Sequence, residues 1–368
     1  MISSTKIDTD VLREFHRTPG PVDSVYFNLE TLPQQEENAT LRWHKLTDRL
    51  ARQGADAASL TALTDRVLPA LPGSGALAAF AVRGDVPLVV EMPDFHHEDM
   101  AVHGPLPHLL PLLEWQQEHP AHVLAIVDRI GADLEVYPTG ATKATARRTV
   151  TGPDDEIRGN GAQLRFQHRA EDSWDHNAAE VADAIGETLS QHSARLLLLA
   201  GDVRARQFLM KHLPEWVRRE VTIRSVSGSR SHDGAVQERM AQVEAETRRA
   251  GQEETAALLR LLAEERSPGG RAVEGVHATL DALARGRLRT LAVTDDPQDR
   301  RTAWSGPAPT DVSDRRGVLQ PNGGAVVRGR LADVAVRAAL LTGAEVRALP
   351  TDTPHAPKQG IGGVCRFA

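Results

Sequence analysis

The chain has 368 residues, 40% of them hydrophobic and 25% charged, with a formal net charge of −7. This is the composition of a folded protein too long for one comfortable core, and its negative balance excludes a protein that coats nucleic acid indiscriminately while leaving room for local basic surfaces. One cysteine, Cys365, excludes an intramolecular disulfide and any Cys-based zinc site.

In chain order, Ser24–Leu29 reads as a strand after the Pro19-Gly20-Pro21 turn. Thr40–Ala51 and Ser59–Leu71 carry apolar residues at helical spacing: Leu41, Leu46 and Leu50, then Leu60, Leu63, Val67 and Leu71. Pro72-Gly73-Ser74-Gly75 breaks the pattern, and Ala76–Val82 and Val86–Val90 form a predicted strand pair around Arg83-Gly84-Asp85. His122–Asp128 and Ala132–Tyr137 read as a hairpin turning at Arg129-Ile130-Gly131. From Pro138 to about Ala162 the sequence is polar and reads as irregular. Glu171–Gln191 is a predicted helix with Trp174, Ala178, Val181, Ala182, Ile185 and Leu189 on one face. Strand Arg195–Ala200, helix Val203–His212 and strand Val221–Val226 follow, then polar Ser227–Gly234. A charged helix over Ala235–Glu265 ends at Ser267-Pro268-Gly269-Gly270. Helices Gly275–Gly286 and Ala332–Thr342, strands Leu288–Val293 and Ala344–Ala348, and a small-residue strand or turn at Gly360–Phe367 complete an alternating α/β pattern. Met1–Asp10 is polar, with no apolar signal-peptide core, and no run approaches the roughly 20 apolar residues that span a bilayer, so a cytoplasmic protein is expected.

Chemistry concentrates in Arg158-Gly159-Asn160-Gly161-Ala162-Gln163-Leu164-Arg165-Phe166-Gln167-His168. Gly and Asn tolerate positive φ, so this run can bend tightly and bring backbone close to a ligand. Charge reverses around it: Lys143, Arg147, Arg148, Arg158, Arg165 and Arg169 oppose only Asp154, Asp155 and Glu156. That pattern fits phosphate and ribose contacts, and equally a solvated loop in an arginine-rich chain. Arg218, Arg219, Arg224 and Arg230 form a second cluster that reads as exposed arginines flanking a strand. Phe95-His96-His97-Glu98-Asp99, with His103 and His108, reads as a polar loop; adjacent histidines share no face, so no metal site is expected. No Ser or Cys nucleophile stands at a defined spacing from His168 or His176, which leaves a hydrolase triad unsupported. Gly159-x-Gly161 lacks a preceding strand and a third glycine, and no P-loop sequence exists.

The order of these pieces resembles the bacterial release-factor-like family, relatives of the archaeal and eukaryotic class-1 peptide chain release factors, in the actinobacterial group allied to the ribosome hibernation factor Balon. The hairpin His122–Tyr137 resembles the start of the family's middle domain, and Arg158–Phe166 sits where that domain carries its Gly-Gly-Gln loop. The helix containing Asp175-His176-Asn177 resembles the one that follows the loop, and Leu280–Val293 resembles the entry to an L7Ae/L30e-like domain. The likeness covers roughly residues 121–368 and fades in the first third. It implies an α/β protein of three domains: an N-terminal mixed domain over 1–120, a release-factor-like middle domain over 121–232, and an L7Ae/L30e-like C-terminal domain over 233–368.

The loop departs from the family. An ungapped alignment on Leu164-Arg165-Phe166 puts Gly161 where the catalytic glutamine stands and Asn160 on the second glycine; a gapped one makes Gly161-Ala162-Gln163 a degenerate Gly-Gly-Gln. Placing a nucleophile within a fraction of an ångström is most of the family's chemistry, so a two-residue displacement is costly. The resemblance therefore implies a non-catalytic ribosome hibernation factor that fills the A site from decoding centre to peptidyl transferase centre. Its implied partners are the 70S ribosome with its 23S and 16S rRNA, and elongation factor Tu, with no cofactor, metal, membrane or DNA. The implied RNA-binding residues are Lys143, Arg147, Arg148, Arg158, Gly159, Asn160, Gly161, Gln163, Arg165, His168 and Arg169. Two alternatives stay open: a rescue or release factor hydrolysing peptidyl-tRNA, with Gln163 catalytic, and a stress-linked RNA-binding or RNA-cleaving protein.

Overall fold

In a computed structural model the chain begins with β1 (Ile2–Ser3), α1 (Thr9–Phe15), β2 (Val22–Asn28), α2 (Ala39–Gln53), α3 (Ala57–Val67), β3 (Ala76–Val82), β4 (Asp85–Met92), β5 (Met100–Gly104) and α4 (Leu110–Glu118). It continues with β6 (His122–Val127), β7 (Gly131–Tyr137), β8 (Ala146–Thr151), α5 (Gln163–Gln191), β9 (Leu196–Gly201), α6 (Val203–His212), α7 (Glu215–Glu220), β10 (Thr222–Ser225) and α8 (Val236–Glu264). It ends with β11 (Ala272–Glu274), α9 (Val276–Ala284), β12 (Leu288–Asp295), β13 (Thr302–Ser305), β14 (Val312–Ser313), β15 (Val327–Arg330), α10 (Leu331–Leu341), β16 (Glu345–Pro350) and β17 (Ile361–Cys365). The structure describes residues 2–3, 9–16, 20–29, 38–71, 73–93, 98–152, 163–230, 236–267, 269–319 and 324–367, with backbone alone at 2–3, 9 and 163–174. It is an α/β protein of two compact units, one comprising Met1–Trp115 with Glu254–Ala368, the other Gln116–Glu253.

The first unit contains three sheets. One runs β1-β4-β3-β2-β5, and β3, its central strand, is buried on both faces. Alternation assigns the faces: Ala76, Ala78, Phe80 and Val82 enter one core, while Leu77, Ala79 and Ala81 enter another beneath α2 and α3. β3 and β4 are joined at Arg83 (φ 51°) and Gly84 (φ 84°), the paired positive φ of a tight hairpin turn whose twist matches its strands. A second sheet runs β11-β17-β12-β16, and a third, small and antiparallel, runs β14-β13-β15. Helix α10 is buried from Leu331 to Leu340, so its polar residues need partners inside the protein. Asp333 is met by His108, whose Nδ1 lies 2.8 Å from Oδ1. Arg337 donates to the carbonyls of Pro307 (3.0 Å) and Ala308 (3.3 Å) and to Ser305 Oγ (3.1 Å).

The second unit is one sheet in the order β10-β9-β6-β7-β8, parallel through β10, β9 and β6 and antiparallel from β6 to β8. Both faces of β9 are covered: Leu197 and Leu199 pack with Val181, Ile185 and Leu189 of α5, and Leu196, Leu198 and Ala200 with Val243 and Ala250 of α8. β9 ends at Gly201 (φ 110°), where a Cβ would lie 1.9 Å from the Val127 carbonyl oxygen. The β6–β7 turn is an Asp turn: Asp128 Oδ1 accepts the N–H groups of Ile130 (2.8 Å) and Gly131 (2.9 Å).

Several sequence expectations are corrected. The stretch after Pro138 contains strand β8, an exposed edge whose Arg147-Arg148 pair masks the apolar alternation by which strands are recognised. The His-rich stretch is not wholly a polar loop. Residues 94–97 lie outside the described residues, but Asp99 binds Arg42 and Asn28, His103 sits on β5 against Asp23 (2.7 Å), and His108 is fully buried.

Each unit also buries a histidine that titrates abnormally. Burial, then the charge of Arg337, lowers His16 to about 3, and burial lowers His122 to about 4. An unfolded histidine takes its proton near 6.5. The unfolded chain therefore binds more protons below that pH, and the stabilisation present above 6.5 is lost as pH falls through 4 towards 3. Between pH 6.5 and 5 the loss is expected to be about 2 kcal/mol per histidine, read as a fall in unfolding midpoint. His122→Phe keeps a ring against Tyr137, on which His122 stacks at 4.5 Å, and should flatten the second unit's pH dependence; an unchanged slope contradicts the assignment.

Candidate nucleic-acid interface

Strand β8 sorts the basic residues by face. Arg147 pairs across the ladder with Glu135 and Arg148 with Leu134, so the two adjacent arginines point to opposite sides. Arg148 lies beside α5, its Nη1 2.9 Å from Glu187 Oε2. Arg147 lies on the other side, over a groove of about 570 Å³ bounded by Thr142–Arg147, by Glu135 and Tyr137 of β7, and by Val236, Arg239 and Met240 of α8.

Three cations ring this groove: Lys143, Arg147 and Arg239. Lys143 is exposed and has no ion pair among the described residues. Arg147 keeps 77% of its side chain exposed while its Nε lies 3.1 Å from Glu135 Oε1. Arg239 reaches the Ser229 carbonyl at 3.4 Å. Glu135, the one acid in the lining among the described residues, is already engaged, since the Tyr137 hydroxyl donates to its Oε2 at 2.8 Å. Burial, then that hydrogen bond, pushes the Tyr137 phenol well above its usual range, so it stays a protonated donor. The groove is positive on balance, has an aromatic and a thioether in its lining, and is large enough for a nucleotide unit, an arrangement suited to phosphate and ribose contacts.

The expected RNA-contacting residues divide accordingly. The structure brings Lys143 and Arg147 together and separates Arg148 from them. Arg158, Gly159, Asn160 and Gly161 lie outside the described residues. Gln163 is the first residue of α5, which carries Arg165, His168 and Arg169 in its first two turns as backbone positions. Sequence reasoning missed Arg239, which reaches the groove only because α8 packs under the sheet; nothing in its local sequence marks it.

The second arginine cluster is largely occupied. Arg224 Nη2 lies 2.6 Å from Glu253 and Arg219 Nη2 3.0 Å from Glu220. Arg230 is not an exposed arginine: its guanidinium contacts Asp128 (2.9 and 3.0 Å) and Asp133 (3.0 and 3.3 Å), bracing the β6–β7 turn. The Arg230 hydrogen bond is the main cause holding the Asp133 carboxyl below its usual range.

A sheet with helices on both faces and a cationic groove along one edge defines the second unit, and its sequence has relatives. Residues 121–267 match bacterial archaeo-eukaryotic release factor family 2, so over that span the protein is release-factor-like and of the bacterial kind. Two uncharacterized Mycobacterium tuberculosis proteins, Rv2629 of strain H37Rv and MT2704 of strain CDC 1551, are each 27% identical over 371 residues, spanning 97% of this chain and 96% of the relative. Among solved structures, the archaeal translation termination factor aRF1 aligns over 99% of both chains at 15% identity and a TM-score of 0.25. Archaeal Pelota, in a model of it bound to the ribosome with ABCE1, aligns over 98% of this chain and 95% of its own at 13% identity and a TM-score of 0.42. Superpositions this loose assign no residue here a role.

Proposed function

We propose that this protein is a ribosome-associated translation factor acting as a non-catalytic hibernation factor. One observation carries the reading: the cationic groove of Lys143, Arg147 and Arg239 lies entirely within the release-factor-like segment, on a chain that is otherwise net negative. In this reading the N-terminal residues 1–120 approach the decoding centre, and residues 158–169 of the middle segment lie towards the peptidyl transferase centre. The middle segment would use the groove, Arg158, Gly159, Asn160, Gly161, Gln163, Arg165, His168 and Arg169 against 23S rRNA phosphates. The protein then excludes tRNA by occupancy, with elongation factor Tu as companion. The sequence from Arg158 to Gln163 supports an absence of hydrolysis, because no Gly-Gly-Gln stands there and alanine replaces the second glycine even in the gapped alignment.

That gapped alignment also supports a second reading, peptidyl-tRNA hydrolysis with Gln163 positioning water. The two part on Gln163→Ala, tested with ribosomes carrying peptidyl-tRNA. Hibernation predicts no peptide release by either protein and ribosome affinity within about 2-fold of wild type. Release by the wild type that falls by about 10²-fold or more in the variant supports hydrolysis instead, the usual scale for losing a residue that positions a reacting water.

A further inference from the structure

In the first unit, the small sheet β14-β13-β15 presents an outer face that carries an indole and two arginines. Along β13, Ala303 and Ser305 are buried, whereas Thr302 is exposed and Trp304 half-buried, so Thr302 and Trp304 share the outer face. Trp304 lies opposite Arg328 of β15 in the ladder. The Arg328 guanidinium stands 5.9 Å from the indole centroid, with its Nε donating to Thr302 Oγ1 at 2.8 Å. Arg316, from the short turn of helix after β14, stands 5.5 Å from the same ring. Neither Arg316 nor Arg328 has an ion pair among the described residues, and Val318, two residues after Arg316, is exposed.

Charge reverses here too. Residues 300–330 contain six arginines against Asp311 and Asp314. Both acids are committed: Asp311 Oδ2 accepts the Ala308 N–H at 2.9 Å, and Asp314 Oδ2 lies 3.0 Å from His277 Nδ1. An indole with two uncompensated guanidinium groups beside it is matched to an unpaired base and its phosphates, since both aromatic rings and guanidinium planes stack on bases while the charges meet the backbone. An acidic peptide would satisfy the arginines and leave the indole without a role.

We infer that this face is a second RNA-contacting surface, taking a single-stranded or looped RNA segment on Trp304, Arg316 and Arg328. The inference rests on reading the protein as an RNA-contacting translation factor, but on a different surface from the groove. Its test is the fluorescence anisotropy of the full chain with a 5′-fluorescein, unstructured 12-nucleotide RNA, titrated across potassium chloride concentrations. Trp304→Ala should weaken binding by roughly 10-fold with the salt slope kept, and Trp304→Phe should recover most of the loss. Arg316→Ala with Arg328→Ala, at two exposed positions, should lower the log–log salt slope by about 1.4.

Variants that bind the RNA like wild type overturn the inference, as does a wild type that does not bind it. Competition by polyglutamate that is unaffected by Trp304→Ala also overturns it, in favour of an acidic protein partner. Ribosome co-sedimentation separates the two levels. Binding to ribosomes without these oligonucleotide effects removes this surface and leaves the proposed function standing; the effects without ribosome binding do the reverse.

Discussion

His108→Leu is expected to destabilise the first unit by about 3–5 kcal/mol, the usual cost of breaking a fully buried polar pair from one side. His108 and Asp333 are 225 positions apart, and their side chains are almost inaccessible, 1% and 4% exposed. On α10 Asp333 is flanked by buried Leu331, Ala332, Val334 and Val336, so the lone carboxylate would face a largely apolar environment that solvates it poorly. The His108 backbone is held independently, its N–H donating to Ser24 Oγ at 3.0 Å and its carbonyl accepting the Tyr26 hydroxyl at 2.7 Å. The variant therefore removes the ring without releasing the strand beside it. His108→Leu combined with Asp333→Leu should recover at least half of the loss, because apolar replacement of both partners leaves no orphan. Equilibrium urea denaturation measures both; a His108→Leu loss below about 1 kcal/mol would mean that the pair contributes little.

Replacing Lys143, Arg147 and Arg239 together by alanine is expected to weaken ribosome binding by on the order of 10²-fold and to lower its log–log salt slope by roughly 2–3, one increment per phosphate contact. The same measurement on Arg148→Ala should show a change below about 3-fold, because Arg148 points to the opposite face and is engaged by Glu187. The contrast is the informative part. Position 147 against position 148 separates a groove from a general arginine effect, and equal losses at both would contradict the groove.

That contrast also shows how far the sequence can be read. Where an element carries its own helical pattern or turn chemistry, local sequence suffices: Arg83-Gly84 announces its hairpin, and α6, α8 and α10 lie within about a residue of their expected bounds, whereas α5 begins at Gln163, well before the expected Glu171. Strand β8 does not, because both of its faces meet solvent or charge, and Arg147 and Arg148 look equivalent until the strand sends them apart. The small sheet from Thr302 to Arg330 is missed for a similar reason: its strands of two to four residues are too short to show a period. The groove was half readable, since Lys143 and Arg147 stand out by charge, whereas Arg239 arrives from α8 through packing. His108 with Asp333 and Arg230 with Asp128 are joined across 225 and 102 positions, a separation that no local window spans.

Occupancy of the ribosomal A site can be read by sedimenting the protein with vacant 70S ribosomes at physiological salt, then adding labelled A-site tRNA. The protein is expected to pellet with the ribosomes and to keep the tRNA in the supernatant. Protein that stays in the supernatant, or that pellets together with A-site tRNA, contradicts occupancy.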